Sequence, residues 1–238
     1  METTWLPDAR PRERHLAVGE FDGVHLGHRE VIRGADTVLT FDPHPLSVIA
    51  PARAPRLLTT LERKAELVGS LGVEELVVVP FDADFALVSA EQFVERILVE
   101  RLGATYVSVG ENFRFGRGAG GDAERLRADA RFETRVATLL EVDGEVVSSS
   151  HIRGLVLGGA VEYADELLGA PFTMAREVVH GDKRGRELGY PTANLLPLDG
   201  YVTPGHGGYA CRATVASGKT YAAGPSFLGF STERLLFR

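Results

Sequence analysis

The residues best suited to chemistry lie early in the chain, in Gly19-Glu20-Phe21-Asp22-Gly23-Val24-His25-Leu26-Gly27-His28. A short apolar run, Leu16-Ala17-Val18, precedes them, and a helix-like segment follows. Glycine lets a backbone turn tightly and approach a phosphate closely. A helix starting near Val24 would aim free N–H groups at that phosphate. On such a helix His25 and His28 are three residues apart and share a face. Two imidazoles beside a helix start suit an anionic phosphate chain. The same pair could be surface histidines, or part of a metal site for which no third ligand of the usual spacing lies nearby. Within the turn, Gly19, Phe21 and Asp22 are further candidate nucleotide-binding residues.

Other clusters point the same way. Thr40-Phe41-Asp42-Pro43-His44-Pro45 ends a second apolar run in a stiff, proline-bounded loop. Gly110-Glu111-Asn112-Phe113-Arg114-Phe115-Gly116 gathers an amide, an arginine and two rings, at least one of which is expected in the core. A glycine-rich, lid-like loop follows at 117–122. Ser148-Ser149-Ser150-His151-Ile152-Arg153 opens a helix. One serine serves as its cap. The remaining hydroxyls, the free N–H groups and Arg153 could hold a polyphosphate. Further on, His180-Gly181-Asp182-Lys183-Arg184-Gly185-Arg186-Glu187-Leu188-Gly189-Tyr190-Pro191-Thr192-Ala193-Asn194 reads either as a turn-rich hairpin or as a site. On an extended chain Thr192 and Asn194 point to one side, which suits a magnesium–phosphate group.

Elements of an α/β fold must position these residues. The pattern predicts strands at 15–18, 38–41, 76–80, 106–109 and 135–142. It predicts helices at 24–33, 60–71, 90–102, 122–130, 150–158 and 161–168. Thr60 is a plausible helix start, and Ser89 with Gln92 matches a capping box. The run Leu76-Val77-Val78-Val79 fits a strand buried on both faces. Alternating strands and helices imply a doubly wound parallel sheet, whose ligands bind at the carboxyl ends of the strands. After Pro171 the texture changes to glycine-rich turns and short strands at 176–179, 209–215 and 220–223. Two domains follow, 1–171 and a small, incomplete β-barrel at 172–238. The second has roughly 65 residues, near the lower limit for independent folding.

Composition narrows the partners. With 26 basic and 33 acidic residues the net charge is −7, which argues against a nucleic-acid or anionic-membrane surface. The lone cysteine, Cys211, permits no internal disulfide and fits a reducing cytoplasm. The first residues lack a signal-peptide pattern, and no apolar run reaches spanning length. A cytoplasmic protein is expected.

Taken in order, these motifs resemble the prokaryotic bifunctional riboflavin kinase/FAD synthetase family over residues 15 to 209. The resemblance implies an N-terminal adenylyltransferase that converts FMN and ATP to FAD and pyrophosphate, and a C-terminal six-stranded β-barrel that phosphorylates riboflavin. It places His25 and His28 at phosphates and Asn112 on nucleotide and Mg2+. It places Ser148, Ser149, Ser150 and Arg153 on the triphosphate, with Ser150 where the family has threonine. Arg153 joins His25 and His28 as a catalytic candidate. Thr192 and Asn194 match the kinase's magnesium–ATP motif, so Asn112, Thr192 and Asn194 are the implied metal contacts. ATP, FMN and FAD are the implied partners, with riboflavin as a further one.

Two departures stand out. Eight residues separate His28 from Thr37, a tighter first crossover than the family implies. After Tyr209 the family pattern decays, and Thr232-Glu233-Arg234-Leu235-Leu236-Phe237-Arg238 stands where a Glu-x-His-Leu-Leu-Asp stretch is expected. Glu233 is either a shifted kinase base or, as slightly favoured, a charged tail residue. Adenylyl transfer from ATP needs no protein base, because a phosphate ester with second pKa about 6 is already a dianion at neutral pH. A riboflavin hydroxyl benefits from a positioned carboxylate. The expectation is an FAD synthetase with weak or absent kinase activity. The alternatives are both activities, or a flavin- or nucleotide-binding regulator without catalysis.

Overall fold

The structure, a computed structural model, describes residues 1–179, 193–196, 198–214, 220–228 and 235–237. Six parallel strands form its main sheet: β1 (Glu2–Trp5), β2 (Arg14–Val18), β3 (Thr37–Asp42), β4 (Glu75–Pro80), β5 (Ala104–Gly110) and β8 (Glu133–Ala137), in the order β1-β4-β3-β2-β5-β8. Leu76, Val77, Val78 and Val79 are fully buried, as a continuous apolar run in a two-sided sheet demands. Alternate strand residues feed two cores. On one face α1 (Leu26–Ile32) and α3 (Leu61–Gly69) pack over Ala17, Val38, Leu76 and Val78. On the other, Phe93, Val94 and Leu98 cover Leu16, Leu39, Val77 and Val107.

The order of strands sets the site. β3 and β4 continue from β2 to one side, whereas β5 lies against β2 on the other. Connections therefore diverge at β2 and β5, which opens a crevice beyond their carboxyl ends. The tight crossover closes because the seven residues of α1 suffice between β2 and β3. Ser108 of β5 ties the helix down, its hydroxyl donating to the Val31 carbonyl at 2.7 Å.

Several boundaries differ from the sequence expectation. α1 begins at Leu26, not Val24, because Phe21, Gly23 and Val24 hold positive φ of 50°, 87° and 44°. β1 was not expected. It is an edge strand with mostly exposed residues, so it carries no apolar alternation. The segment expected as one strand at 135–142 is divided. β8 ends at Ala137, and a hairpin of β9 (Glu141–Val142) and β10 (Glu145–Val146) follows. Its turn is Asp143-Gly144 with φ of 53° and 80°, the positive pair that Asp-Gly favours. The helix at 90–102 starts on the expected Ser89–Gln92 capping box, as α4 (Ala90–Gln92), and continues as a π-helix over Phe93–Arg101. Between β5 and β8 lie a two-stranded ribbon, β6 (Arg114–Phe115) and β7 (Gly121–Asp122), and the short helix α5 (Ala123–Arg127).

At the opposite, amino-terminal edge, Arg14 and Glu75 form a buried pair at 3.0 Å, with Arg12 also on Glu75. Burial pushes the Glu75 carboxyl up, but bonds and charges from Arg14 and Arg12 outweigh it and hold it below its ordinary value. This pair fastens the start of β2 to that of β4, away from the crevice.

Beyond β8, the helices α6 (Ser149–Leu157) and α7 (Val161–Leu168) build a third cluster with Leu58 and Val202. Gly169, at φ 66°, ends α7 in the left-handed cap conformation. The remaining strands form an antiparallel sheet in the order β11 (Val178–Val179), β12 (Ala193–Leu195), β15 (Leu235–Phe237), β14 (Thr220–Leu228) and β13 (Gly207–Thr214). This is the small, partial barrel expected after the parallel sheet. Its lead-in is stitched to the first unit: Leu57 N–H donates to Gly200 O at 2.7 Å and Val202 N–H to Leu57 O at 2.8 Å.

Candidate functional site

A cleft of about 310 Å³ opens beyond β2, β5 and β8. That lies at the lower end of the usual range for ligand pockets. Val18, Gly110 and Ala137 at the strand ends form its floor. The glycine–histidine turn forms one wall and the start of α6 another.

In the first wall His25 is the cap of α1 rather than its first turn. Its Nδ1 accepts from the His28 N–H at 3.3 Å. Nε2 of the neutral ring is therefore the position that carries the proton. The His25 and His28 rings stack with centroids 3.5 Å apart, and His28 meets Phe21 edge-on at 5.3 Å. Burial, joined by the charge of Arg153, lowers His25 to about 4. Burial also carries His28 well down, with His25, Lys64 and Arg153 adding to it. Both rings are neutral donors before any anion arrives. Among the described residues, His28 Nδ1 and Glu20 Oε1 are buried without a hydrogen-bond partner. Gly19, at the end of β2, leaves room for Phe21: a Cβ there would meet that ring at 3.0 Å.

In the second wall each serine hydroxyl is bonded, whereas Arg153 Nε is buried without a hydrogen-bond partner among the described residues. Ser148 caps α6, accepting from His151 N–H at 3.2 Å. Ser149 Oγ donates to the Asp22 carbonyl at 2.9 Å. Ser150 Oγ accepts from Arg153 Nη1 at 3.2 Å. All three serines line the cleft, but Arg153 and Asp22 stand beside it rather than on its wall. Arg153 Nη2 donates to Asp22 Oδ2 at 3.1 Å. The Asp22 carboxylate also accepts from Leu58 N–H, Thr59 N–H and the Thr59 hydroxyl. Asp22 is thus a buried hub that fixes Arg153.

Asn112 sits in the turn after β5, exposed and lining the cleft. Of the two rings beside it, Phe115 is core and Phe113 stacks on it while facing the cleft. His44 caps α2 (Pro45–Ile49), its Nδ1 accepting from Leu46 N–H. Asn194 is buried in β12 and belongs to the second sheet. Thr192 and Glu233 lie outside the described residues.

Sequence reasoning missed a second polar network under the first wall. Lys64 is only 6% exposed, and its Nζ donates to Thr40 Oγ1 at 3.1 Å. Thr40 in turn donates to the Glu20 carbonyl at 3.1 Å. A signal was present: Lys64 sits on the apolar stripe of α3 with Leu61, Ala65 and Val68. Burial raises the Glu20 carboxyl to about 8; Lys64 opposes this, and Asp22 and Asp42 add to it.

Comparisons with known proteins agree with this architecture. The family model described as FAD synthetase matches residues 8–151, and the one described as riboflavin kinase matches 168–231. A bifunctional riboflavin kinase/FMN adenylyltransferase of Listeria monocytogenes is 38% identical over 91% of this chain and 72% of its own length. The Escherichia coli protein of that description is 37% identical over 82% of this chain and 66% of its own. A crystal structure described as a macrolide-efflux protein from Streptococcus pneumoniae matches with a TM-score of 0.87 at 28% identity, covering all of this chain and 83% of that one. Among the described residues, no helix is long and apolar enough to cross a membrane. The chain belongs to the bifunctional riboflavin kinase/FMN adenylyltransferase family.

Proposed function

We propose that this chain transfers AMP from magnesium–ATP to FMN, releasing pyrophosphate and forming FAD. The observation that carries the reading is the stacked His25–His28 pair on a cleft at the switch point of a parallel sheet. The FMN phosphate oxygen attacks the α-phosphorus, one O–P bond forms, and the α–β anhydride bond breaks. Its dianion needs no protein base, so catalysis rests on alignment and on donors aimed at developing charge. His25 and His28, neutral and preset, supply such donors. Arg153, released from Asp22 toward the ligand, holds the leaving pyrophosphate with Ser149 and Ser150. Gly19 and Phe21 shape the nucleotide's seat.

Magnesium takes hard oxygen ligands and often binds mainly through substrate phosphates. Among the described residues, no three acidic, histidine or cysteine side chains are grouped to hold a metal. The exposed amide oxygen of Asn112 fits a single protein contact to a phosphate-borne cation, whose charge would screen the triphosphate. We place the domain junction at 169–171, giving an adenylyltransferase unit 1–171 and a kinase-like unit 172–238. Formation of FAD and pyrophosphate from FMN and magnesium–ATP by purified protein is the test. No product from well-folded protein at saturating substrates defeats the reading.

A second reading, activity at both units, is favoured by the riboflavin kinase match over 168–231. In this unit Thr192 and Asn194 are the proposed magnesium–ATP contacts. We expect weak or absent conversion of riboflavin to FMN, since the carboxylate available as base is Glu233, off the family pattern. Robust FMN formation by the wild type, abolished in Glu233→Gln, would establish full bifunctionality.

A further inference from the structure

The mechanism leaves one titratable residue of the cleft lining unused. Glu20 lies between the histidine turn and Lys64, on the wall that receives phosphates in the proposed function, on which this inference rests. Its main chain is fixed, because the carbonyl accepts from Thr40, itself held by Lys64. Its side chain is not fixed by any protein partner: Oε1 is buried and unpartnered among the described residues. A buried acceptor or donor without a partner is costly and calls for one from the ligand. An ionised carboxylate there would face incoming phosphates with like charge. The negative role in this site is already filled by Asp22, which is paired with Arg153.

We propose that Glu20 is a substrate-binding residue whose carboxyl, carrying its proton, donates a hydrogen bond to a phosphate oxygen of the ligand in the cleft. The groups whose charge reaches Glu20 are Lys64 on α3, Asp22 in the same turn and Asp42 at the end of β3. The two aspartates and the burial favour the acid form, and Lys64 opposes it; the balance lies near pH 8. A bound phosphate adds further negative charge and strengthens the acid form. Affinity should therefore fall once the free protein loses this proton.

The ligand oxygen can belong to FMN or to ATP. Equilibrium binding of FMN alone and of magnesium–ATP alone, measured by calorimetry from pH 6.5 to 9.5, distinguishes them. In the wild type, the ligand that Glu20 contacts should lose about tenfold in affinity from pH 7 to pH 9, as the acid fraction does for a group titrating near 8. Glu20→Gln keeps a donor without the titration, so its affinity should stay within about threefold over that range and match the wild type at pH 7. Glu20→Leu, which cannot donate, should bind roughly tenfold more weakly than the wild type at pH 7, without the alkaline loss, so that the two converge near pH 9. An alkaline loss equally present in Glu20→Gln assigns it to another group and overturns the proposal. So does wild-type binding of both ligands that is flat with pH, or a Glu20→Leu variant that binds as tightly as wild type at pH 7. If the folded wild type bound neither ligand at any pH, the adenylyltransferase reading itself would fall, a result distinct from these.

Discussion

The two walls of the cleft are built on opposite plans. The glycine–histidine turn holds its rings rigidly yet leaves His28 Nδ1 and Glu20 Oε1 without partners. The start of α6 has each serine hydroxyl bonded, and its arginine is tied to Asp22 through Nη2, with Nε left unpartnered among the described residues. The first wall is ready before the ligand comes, and a preset donor costs no reorganisation in the transition state. The second wall must exchange an internal partner for a ligand oxygen, so part of its binding energy is offset. Damage to the first should therefore appear in kcat, and damage to the second in KM.

The largest expected effect lies at the hub of the second wall. Asp22→Ala leaves Arg153 and the N–H groups of Leu58 and Thr59 without their acceptor. Asp22 is 3% exposed in its side chain and Arg153 14%. Removing one partner of a buried pair costs about 3–5 kcal/mol. Chemical denaturation should show that loss. A loss below about 1 kcal/mol would mean that Asp22 does not organise this wall.

Next comes His28→Ala. Loss of a charge-stabilising donor costs on the order of 10²–10³ in rate at comparable sites. Turnover should fall by that factor while the KM for FMN moves only a few-fold. A variant with normal kcat and raised KM would place the histidine wall in the same class as the serine wall and erase the contrast. Arg153→Ala should do the converse. Hydrogen bonds to charged groups contribute about 1.5–3 kcal/mol, so the KM for ATP should rise roughly tenfold to a hundredfold with kcat little changed. An unchanged KM for ATP would show that Arg153 stays with Asp22 when the nucleotide binds.

The contrast between the walls also separates what local sequence reveals from what it conceals. The valine run of β4, the Ser89–Gln92 capping box and the cap at Thr60 depend on near neighbours and were legible, as was a serine cap on α6, though not that Ser148 supplies it. The Arg153–Asp22 pair spans 131 residues of chain, and the Lys64–Thr40 bond 24. No pattern within one element reports such pairings, although a lysine on an apolar stripe was a hint. The strand expected at 135–142 stops before the Asp143-Gly144 turn, but the apolar Leu139, Leu140 and Val142 concealed its break after Ala137. β1 gave no signal because its exposed residues, Glu2, Thr3 and Trp5, show no buried alternation. The positive φ values at Phe21 and Val24 are imposed by the packed turn, and such strained positions gather where ligands bind.

The smallest effects compare two serines, Ser148 and Ser150, within one wall. Ser148→Ala removes the cap of α6, which accepts from His151 N–H. Loss of a cap costs typically about 1 kcal/mol of stability, and the KM for ATP should hardly move. Ser150→Ala removes an exposed bond to Arg153 at 3.2 Å and leaves the helix capped. Its hydroxyl steadies a guanidinium that Asp22 already holds, so stability should be unchanged within about 0.5 kcal/mol. Its effect should instead reach the nucleotide: a bond of about 0.5–1 kcal/mol lost from the triphosphate contacts raises the KM for ATP two- to fivefold. Equal effects of both variants on ATP would mean that the N-terminus of α6 binds as a unit. A Ser150→Ala variant with unaltered KM and lowered stability would mean that its hydroxyl serves the fold, leaving Arg153 and Ser149 as the side chains of this wall that meet the phosphates.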